Sequence, residues 1–194
     1  GPDTMPLTSK ASRFFEQADQ REYAFCQAIN RVAGVPSVLG YFRLVSRLGD
    51  GWFWYALILT IPFLWPAQGP ALALLMTLTG LTCTLTYKLL KRRLIRERPF
   101  ISFPSINCGT PPLDRYSFPS GHTLHAACFQ TMLFLASPSL ALAILPFTLS
   151  VAASRVVLGL HYPTDVAAGA VIGGLLGYLS THHLLADFLR LFPA

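Results

Sequence analysis

Between Gly51 and Tyr87 the chain carries no charged residue. So long an uncharged run belongs either in a lipid bilayer or in an unusually large soluble core. The sequence PAQGP at 66–70 divides it, since Pro and Gly at that spacing mark a tight reversal between two helices. The first helix is expected at about 52–65, opening on the aromatic belt Trp52, Phe53, Trp54 and Tyr55, and the second at about 71–90. A spanning helix needs roughly 20 residues, so the first either extends into the Gly-Asp-Gly at 49–51 or thins the bilayer around it. Composition decides between bilayer and core. Charged residues make up 12% of the chain, hydrophobic residues 53%, and mean hydropathy is +0.48. An ordinary soluble domain carries about 25% charged residues. The chain reads as an integral membrane protein.

The remaining segments fit that class. Residues 11–33 place Phe14, Ala18, Phe25, Ile29 and Val32 on one helical face and charged residues elsewhere, which predicts an amphipathic helix at the membrane surface or one packed on the protein's own loops. YFRLVSRLGDG at 41–51 repeats the pattern. Residues 99–119, rich in Pro, Ser and Gly, read as a loop. A third helix is expected from Ser120 to about Ala136, and a fourth from about Leu140 to Leu158 with a kink at Pro146. A fifth should run from Pro163 to near Ala186, with Asp165 at its positive end and Gly169, Gly173, Gly174 and Gly177 allowing close packing. The fold class is therefore all-α: a polytopic membrane bundle of about five transmembrane helices with N-terminal amphipathic helices. GPDT before Met5 reads as a tag remnant (1–4), followed by an interfacial segment (5–48) and a membrane domain (49–194). The first thirty residues lack the apolar core of a signal peptide. The four scattered cysteines form neither a zinc spacing nor a disulfide framework.

Charge is concentrated. Six Lys and Arg fall between Lys88 and Arg98, in a chain of net charge +6. The flanks are membrane-like and no nucleic-acid motif appears, so no nucleic-acid partner is expected. Counting helices brings the polar residues together. The basic run ends helix two, Ser120 and His122 begin helix three, Arg155 ends helix four, and His161 and Asp165 stand where helix five begins. Up-and-down connections put all of them on one membrane face.

That set supports phosphoryl chemistry. Lys91, Arg98 and Arg155 concentrate positive charge, and the guanidinium fork matches phosphate oxygens. The start of helix three offers backbone N–H groups and a positive dipole end, with Ser120 as a further donor and Gly121 permitting close approach. His161 and Asp165 are four residues apart, so Asp165 can hold one ring nitrogen and leave the other as nucleophile. His122 can serve as general acid. Lys88, Arg92, Arg93 and Arg96 read as positive-inside or snorkelling residues, and His125, His182 and His183 as structural. No carboxylate cage for a metal is evident, so neither metal nor cofactor is expected.

Three motifs carry a family resemblance: KRRLIRERP (Lys91, Arg98, Pro99), PSGH (Pro119 to His122) and SRVVLGLHYPTD (Ser154, Arg155, His161, Asp165). Together, in this order and spacing, they resemble the three-part signature of the type 2 phosphatidic acid phosphatase (PAP2) superfamily, which also holds the vanadium haloperoxidases and glucose-6-phosphatase. The resemblance implies a metal-independent phosphatase with a phosphohistidine intermediate. It makes His161 the nucleophile, Asp165 its orienting partner and His122 the acid to the leaving group. Lys91, Arg98, Ser120, Gly121 and Arg155 bind the phosphoryl oxygens. The expected substrate is a lipid phosphate: phosphatidic acid, phosphatidylglycerophosphate or undecaprenyl diphosphate. A haloperoxidase-like oxidoreductase and a non-catalytic membrane scaffold are the alternatives. Many bacterial lipid phosphatases of this type have six membrane helices, and this chain shows five.

The expected location is a bacterial inner membrane. The turns at 66–70 and 137–139 carry no basic residue, while the catalytic side also carries Arg13, Arg21, Arg31, Arg43, Arg47 and Arg115. The positive-inside rule puts the site in the cytoplasm, and resemblance to six-helix lipid phosphatases favours the outer face. The surplus of non-catalytic cations tips the reading to the cytoplasmic side. The sequence leaves the oligomeric state open.

Overall fold

The structure, a computed structural model, describes residues 8–193; the tag-remnant reading of 1–4 lies outside them. Within the described residues eight α-helices follow in order: α1 (Thr8–Asn30), α2 (Pro36–Arg47), α3 (Phe53–Leu64), α4 (Gly69–Arg93), the single turn α5 (Pro99–Ser102), α6 (Gly121–Ala136), α7 (Pro138–Val157) and α8 (Pro163–Leu191). Among the described residues the sole β pairing is an isolated bridge between Glu97 and Tyr116. The five apolar helices fall within a few residues of the expected ones. Pro146 sits inside α7 without ending it. α4, of 25 residues, and α7, of 20, are long and apolar enough to cross a bilayer. α3 has 12 residues, about 18 Å at 1.5 Å per residue, and does not extend into the Gly-Asp-Gly. Those residues instead form a wide π-type turn, Leu48–Trp52, joining α2 to α3. Gly51 adopts φ 146° there, a conformation that side-chain-bearing residues rarely reach.

α6 sits at the centre. α8 lies along it so closely that a Cβ on Gly173 would overlap the carbonyl of Leu124, which is the physical use of the small-residue stripe. α7 is tied to α6 by a buried polar pair. Gln130 Nε2 donates to the Ala141 carbonyl at 2.8 Å, and Thr148 Oγ1 donates to Gln130 Oε1 at 2.7 Å. Apolar packing of Trp54, Ile61, Met76, Leu124, Met132 and Val151 completes the core between α3, α4, α6 and α7.

The N-terminal helix packs on the protein's own loops, the second of the two expectations for it. Phe14, Phe25 and Val32, from the predicted apolar face, are exposed. The face turned toward the protein carries Phe15, Asp19, Glu22, Cys26 and Asn30, at helical spacing. Asn30 pins the helix end: its Nδ2 donates to the carbonyls of Asn107 (2.9 Å) and Val157 (3.0 Å), and its Oδ1 accepts from Asn107 N (2.9 Å). Tyr23 stacks on Phe103 with ring centroids 4.3 Å apart. α1 therefore grips the loops with polar side chains and leaves Phe14 and Phe25 exposed.

Candidate active site

The ends of α4, α6 and α7 and the α7–α8 connection converge on one cavity of about 500 Å³. Lys91, Arg98, Gly121, His122, Arg155 and His161 all line it, so the fold brings these six together. Two predicted residues stand behind the wall. Ser120 is taken up as the N-cap of α6: its hydroxyl accepts from Thr123 N at 3.3 Å and pairs with Thr123 Oγ1 at 2.9 Å. Asp165 is fully buried at the first turn of α8, where Oδ2 accepts from Tyr162 N at 2.7 Å. Neither side chain lines the cavity itself, although a capping hydroxyl that accepts a backbone N–H keeps its own proton to donate.

His161 sits in the α7–α8 connection, 1% exposed. Its Nδ1 lies 2.8 Å from the Ser117 carbonyl, whereas Asp165 Oδ2 stands 3.7 Å away. A carbonyl only accepts, so Nδ1 carries the proton and Nε2 presents its lone pair. Ser117, not Asp165, thus directly fixes the tautomer. Asp165 acts one step back, holding the backbone of Tyr162. Burial, reinforced by Arg155, Arg98, Lys91 and His122, holds the His161 pKa well below the ordinary histidine value. The ring is neutral at neutral pH. Arg98 Nη1 donates to Nε2 at 3.2 Å, placing a guanidinium beside that nitrogen.

The other groups are built in from separate elements. Arg155, 3% exposed, donates from Nη1 to Ser46 Oγ of α2 at 2.6 Å. Its buried Nε has no hydrogen-bond partner among the described residues. Lys91 lies 5.4 Å from the centroid of the Tyr87 ring and pairs with Asp114. His122 Nε2 donates to Asp50 Oδ1, presented by the π-type turn. A Cβ at Gly49 would crowd Val151, and one at Gly51 would strike the Tyr55 ring, so glycines on both sides allow that carboxylate its position.

Arg96 departs most from the sequence reading. It is no snorkelling residue: its side chain is fully buried. Nε donates to Asp19 (2.8 Å), Nη2 to Glu22 (2.9 Å), and Nη1 to Thr164 Oγ1 (2.7 Å) and Asp165 (2.8 Å). The Tyr162 ring lies 3.9 Å from its guanidinium carbon. A buried guanidinium persists where each nitrogen finds an acceptor, and α1 supplies two of them. Lys88, Arg92 and Arg93 are exposed, as expected. His125 sits in the cavity wall, bonded to Gly121 O (2.9 Å) and Thr84 Oγ1 (3.0 Å).

Away from the cations the cavity turns apolar. Thr77, Leu81, Thr84 and Tyr87 of α4 line it together with Ile58 and Leu59 of α3. It therefore follows α4 for about 20 Å, from Lys91 to Thr77. Leu59 and Leu81 are 70% and 58% exposed, so the cavity opens between these two helices toward the surroundings of the bundle.

Buried cations, three imidazoles and an apolar channel within one bundle fit a phosphoryl-handling enzyme. The chain belongs to the PAP2 superfamily, whose model matches residues 70–187 and so takes in all three motifs. It is 35% identical over 144 residues to the decaprenylphosphoryl-5-phosphoribose phosphatase of Mycolicibacterium smegmatis, covering 71% of this chain and 74% of that one. The fold is similar to that of the transmembrane PAP2-type phosphatidylglycerolphosphate phosphatase of Bacillus subtilis, with TM-score 0.66, 27% identity, and 89% and 93% of the two chains covered. It is also similar to Aquifex aeolicus LpxE, with TM-score 0.70, 25% identity, and 82% and 94% covered. The protein is thus a membrane phosphatase, and neither the scaffold nor the oxidoreductase alternative is carried further.

Proposed function

We propose that the enzyme hydrolyses the terminal phosphate of a membrane lipid through a phosphohistidine at His161. The observation that carries this reading is the single cavity in which buried Arg98, Arg155 and His161 adjoin an apolar channel open between α3 and α4. A lipid can leave its chains in the bilayer, enter between those helices and bring its phosphate to the cations. In the first step His161 Nε2 attacks phosphorus and the bond to the leaving oxygen breaks. His122 gives that oxygen its proton from Nε2, the nitrogen that the Asp50 carboxylate holds in the resting site. In the second step water attacks phosphorus, the P–N bond breaks, and His122 takes the water's proton. Lys91, Arg98 and Arg155 hold the phosphoryl oxygens throughout, so the chain supplies positioning and charge. Relatives named for decaprenylphosphoryl-5-phosphoribose and phosphatidylglycerolphosphate support a lipid whose phosphate lies at the headgroup end.

His122→Ala separates this mechanism from mere phosphate binding. An alkyl leaving oxygen needs its proton and nitrophenolate does not. The variant should lose on the order of 10²–10⁴ in kcat on the lipid ester and much less on nitrophenyl phosphate. Equal loss on both substrates removes His122 as the acid.

We further assign five spanning helices, α3, α4, α6, α7 and α8, with the bilayer thinned around the short α3 and the site on the cytoplasmic face of a bacterial inner membrane. With the buried Arg96, Arg98 and Arg155 set aside, exposed Lys88, Arg92, Arg93, Arg31 and Arg47 still favour that side. Cys108, in the catalytic-side loop, is exposed while Cys26, Cys83 and Cys128 are buried, so the unaltered cysteines suffice for a test. An impermeant maleimide should label Cys108 only after cells are lysed. Labelling in intact cells overturns the assignment.

A further inference from the structure

In the resting site the phosphoryl-binding cations already hold a carboxylate. Asp114 lies in the segment between α5 and α6. Its side chain accepts from Lys91 Nζ at 3.0 and 3.2 Å and from Arg98 Nη2 at 2.9 Å. It is 43% exposed, against 12% for Lys91 and 2% for Arg98. Burial pushes the Asp114 carboxyl up, but Lys91 and Arg98 outweigh it and hold its pKa below the ordinary value, so the group is an anion at neutral pH. Arg98, more deeply buried, has its pKa lowered by burial despite the same partner.

Arg98 does not need this carboxylate for its orientation. Its Nε donates to the main-chain carbonyl of Asp114 at 2.8 Å, and its Nη1 donates to the carbonyl of Leu160 at 3.1 Å. Those two bonds fix the plane of the guanidinium. What the Asp114 side chain takes up is Nη2 and the Lys91 ammonium, two donors that face the cavity. A carboxylate and a phosphoryl group present paired oxygens to the same fork.

We propose that Asp114 sets the affinity of the site: its carboxylate stands where two phosphoryl oxygens sit during turnover, and phosphate ligands bind by displacing it. The proposal rests on the reading of Lys91 and Arg98 as phosphoryl ligands. Competition of this kind weakens every phosphate ligand by the same factor. A lipid offsets the loss with contacts along α3 and α4. Free inorganic phosphate has no such contacts and is released. The most exposed member of the cluster is the one that exchanges, and the exposed side of the loop gives it room to swing out. Between turnovers the buried cations keep a partner.

The experiment is competitive inhibition by inorganic phosphate and by vanadate on the full-length enzyme in detergent. Asp114→Asn removes the charge and keeps the shape. It should lower both inhibition constants by up to about fivefold, the scale of losing a partly exposed ion pair, and lower KM for the lipid in parallel. Asp114→Glu, which keeps the charge, should stay near wild type. Unchanged or raised inhibition constants in Asp114→Asn overturn the proposal, because a residue that merely orients Lys91 and Arg98 would weaken anion binding when lost. Asp114→Ser repeats the measurement if the Asn variant melts early. Lys91→Ala and Arg98→Ala serve as the separate check: both should raise the phosphate inhibition constant. If neither does, it is the underlying assignment of the cations that fails, whatever the Asp114 variants show.

Discussion

His161→Ala should abolish turnover, with a loss of about 10⁴-fold or more, the scale seen when a covalent nucleophile is removed. His161 Nε2 is an unprotonated ring nitrogen set among the cations of the cavity. The Ser117 carbonyl holds the proton on Nδ1, and Nε2 faces the cations. His122 cannot substitute, because its cavity-facing nitrogen carries a proton donated to Asp50. Rapid quench at alkaline pH with labelled substrate should trap acid-labile phosphate on the wild-type protein and none on the variant. Retention of a tenth of wild-type activity would remove His161 from the mechanism. A pH dependence follows from the same surroundings. Protonation of His161 would silence it, but burial and three neighbouring cations keep its pKa well below the ordinary histidine value. The loss of kcat/KM that its protonation causes should therefore set in only well below that value as pH falls.

Two kinds of signal in the sequence locate this chemistry. Uncharged runs punctuated by Pro and Gly mark the long helices, because hydrophobic length and helix breakers act locally and leave a direct trace. Helix counting then places Lys91, Arg98, His122, Arg155 and His161 on one face, a consequence of topology that needs no tertiary detail. The partners of those residues are not legible in this way. Asp50, Asp114 and Ser117 come from loops and turns, and Ser46, Asp19 and Glu22 come from N-terminal helices 74 to 109 positions away from the groups they bind. Arg96 follows Arg92 and Arg93 in one basic run, and nothing local distinguishes it from those two surface cations. Its burial follows from three carboxylates that only the folded chain assembles. Two further signals lie in the sequence. Gly-Asp-Gly is a spacing that frees the backbone around a single carboxylate. Asp19 and Glu22 are acids three apart on one helical face, beside the apolar one. Ser120 and Asp165, at motif positions, also cap α6 and α8, a local role that the sequence itself makes legible.

Arg155 should be the cation whose loss costs most in rate and least in stability. It is 3% exposed, with one donor on Ser46 and its Nε unpartnered among the described residues. The hydroxyl it binds is neutral and does nothing to balance its charge. A buried charge so sparsely satisfied is a cost to the fold, one that a phosphoryl group bound as proposed would offset. Arg155→Met, apolar and of similar length, should therefore lower kcat/KM by about 10²–10³, as expected for one lost transition-state donor, while Tm holds or rises. Arg155→Lys should not restore the rate. A single ammonium cannot keep Ser46 and also present a fork to two oxygens. The two readouts move in opposite directions only if Arg155 is a ligand for substrate. A fall in Tm alongside the lost activity would make it a structural residue instead. Inorganic phosphate supplies the matching control: it should raise Tm of the wild type by binding the native state, and raise that of Arg155→Met far less.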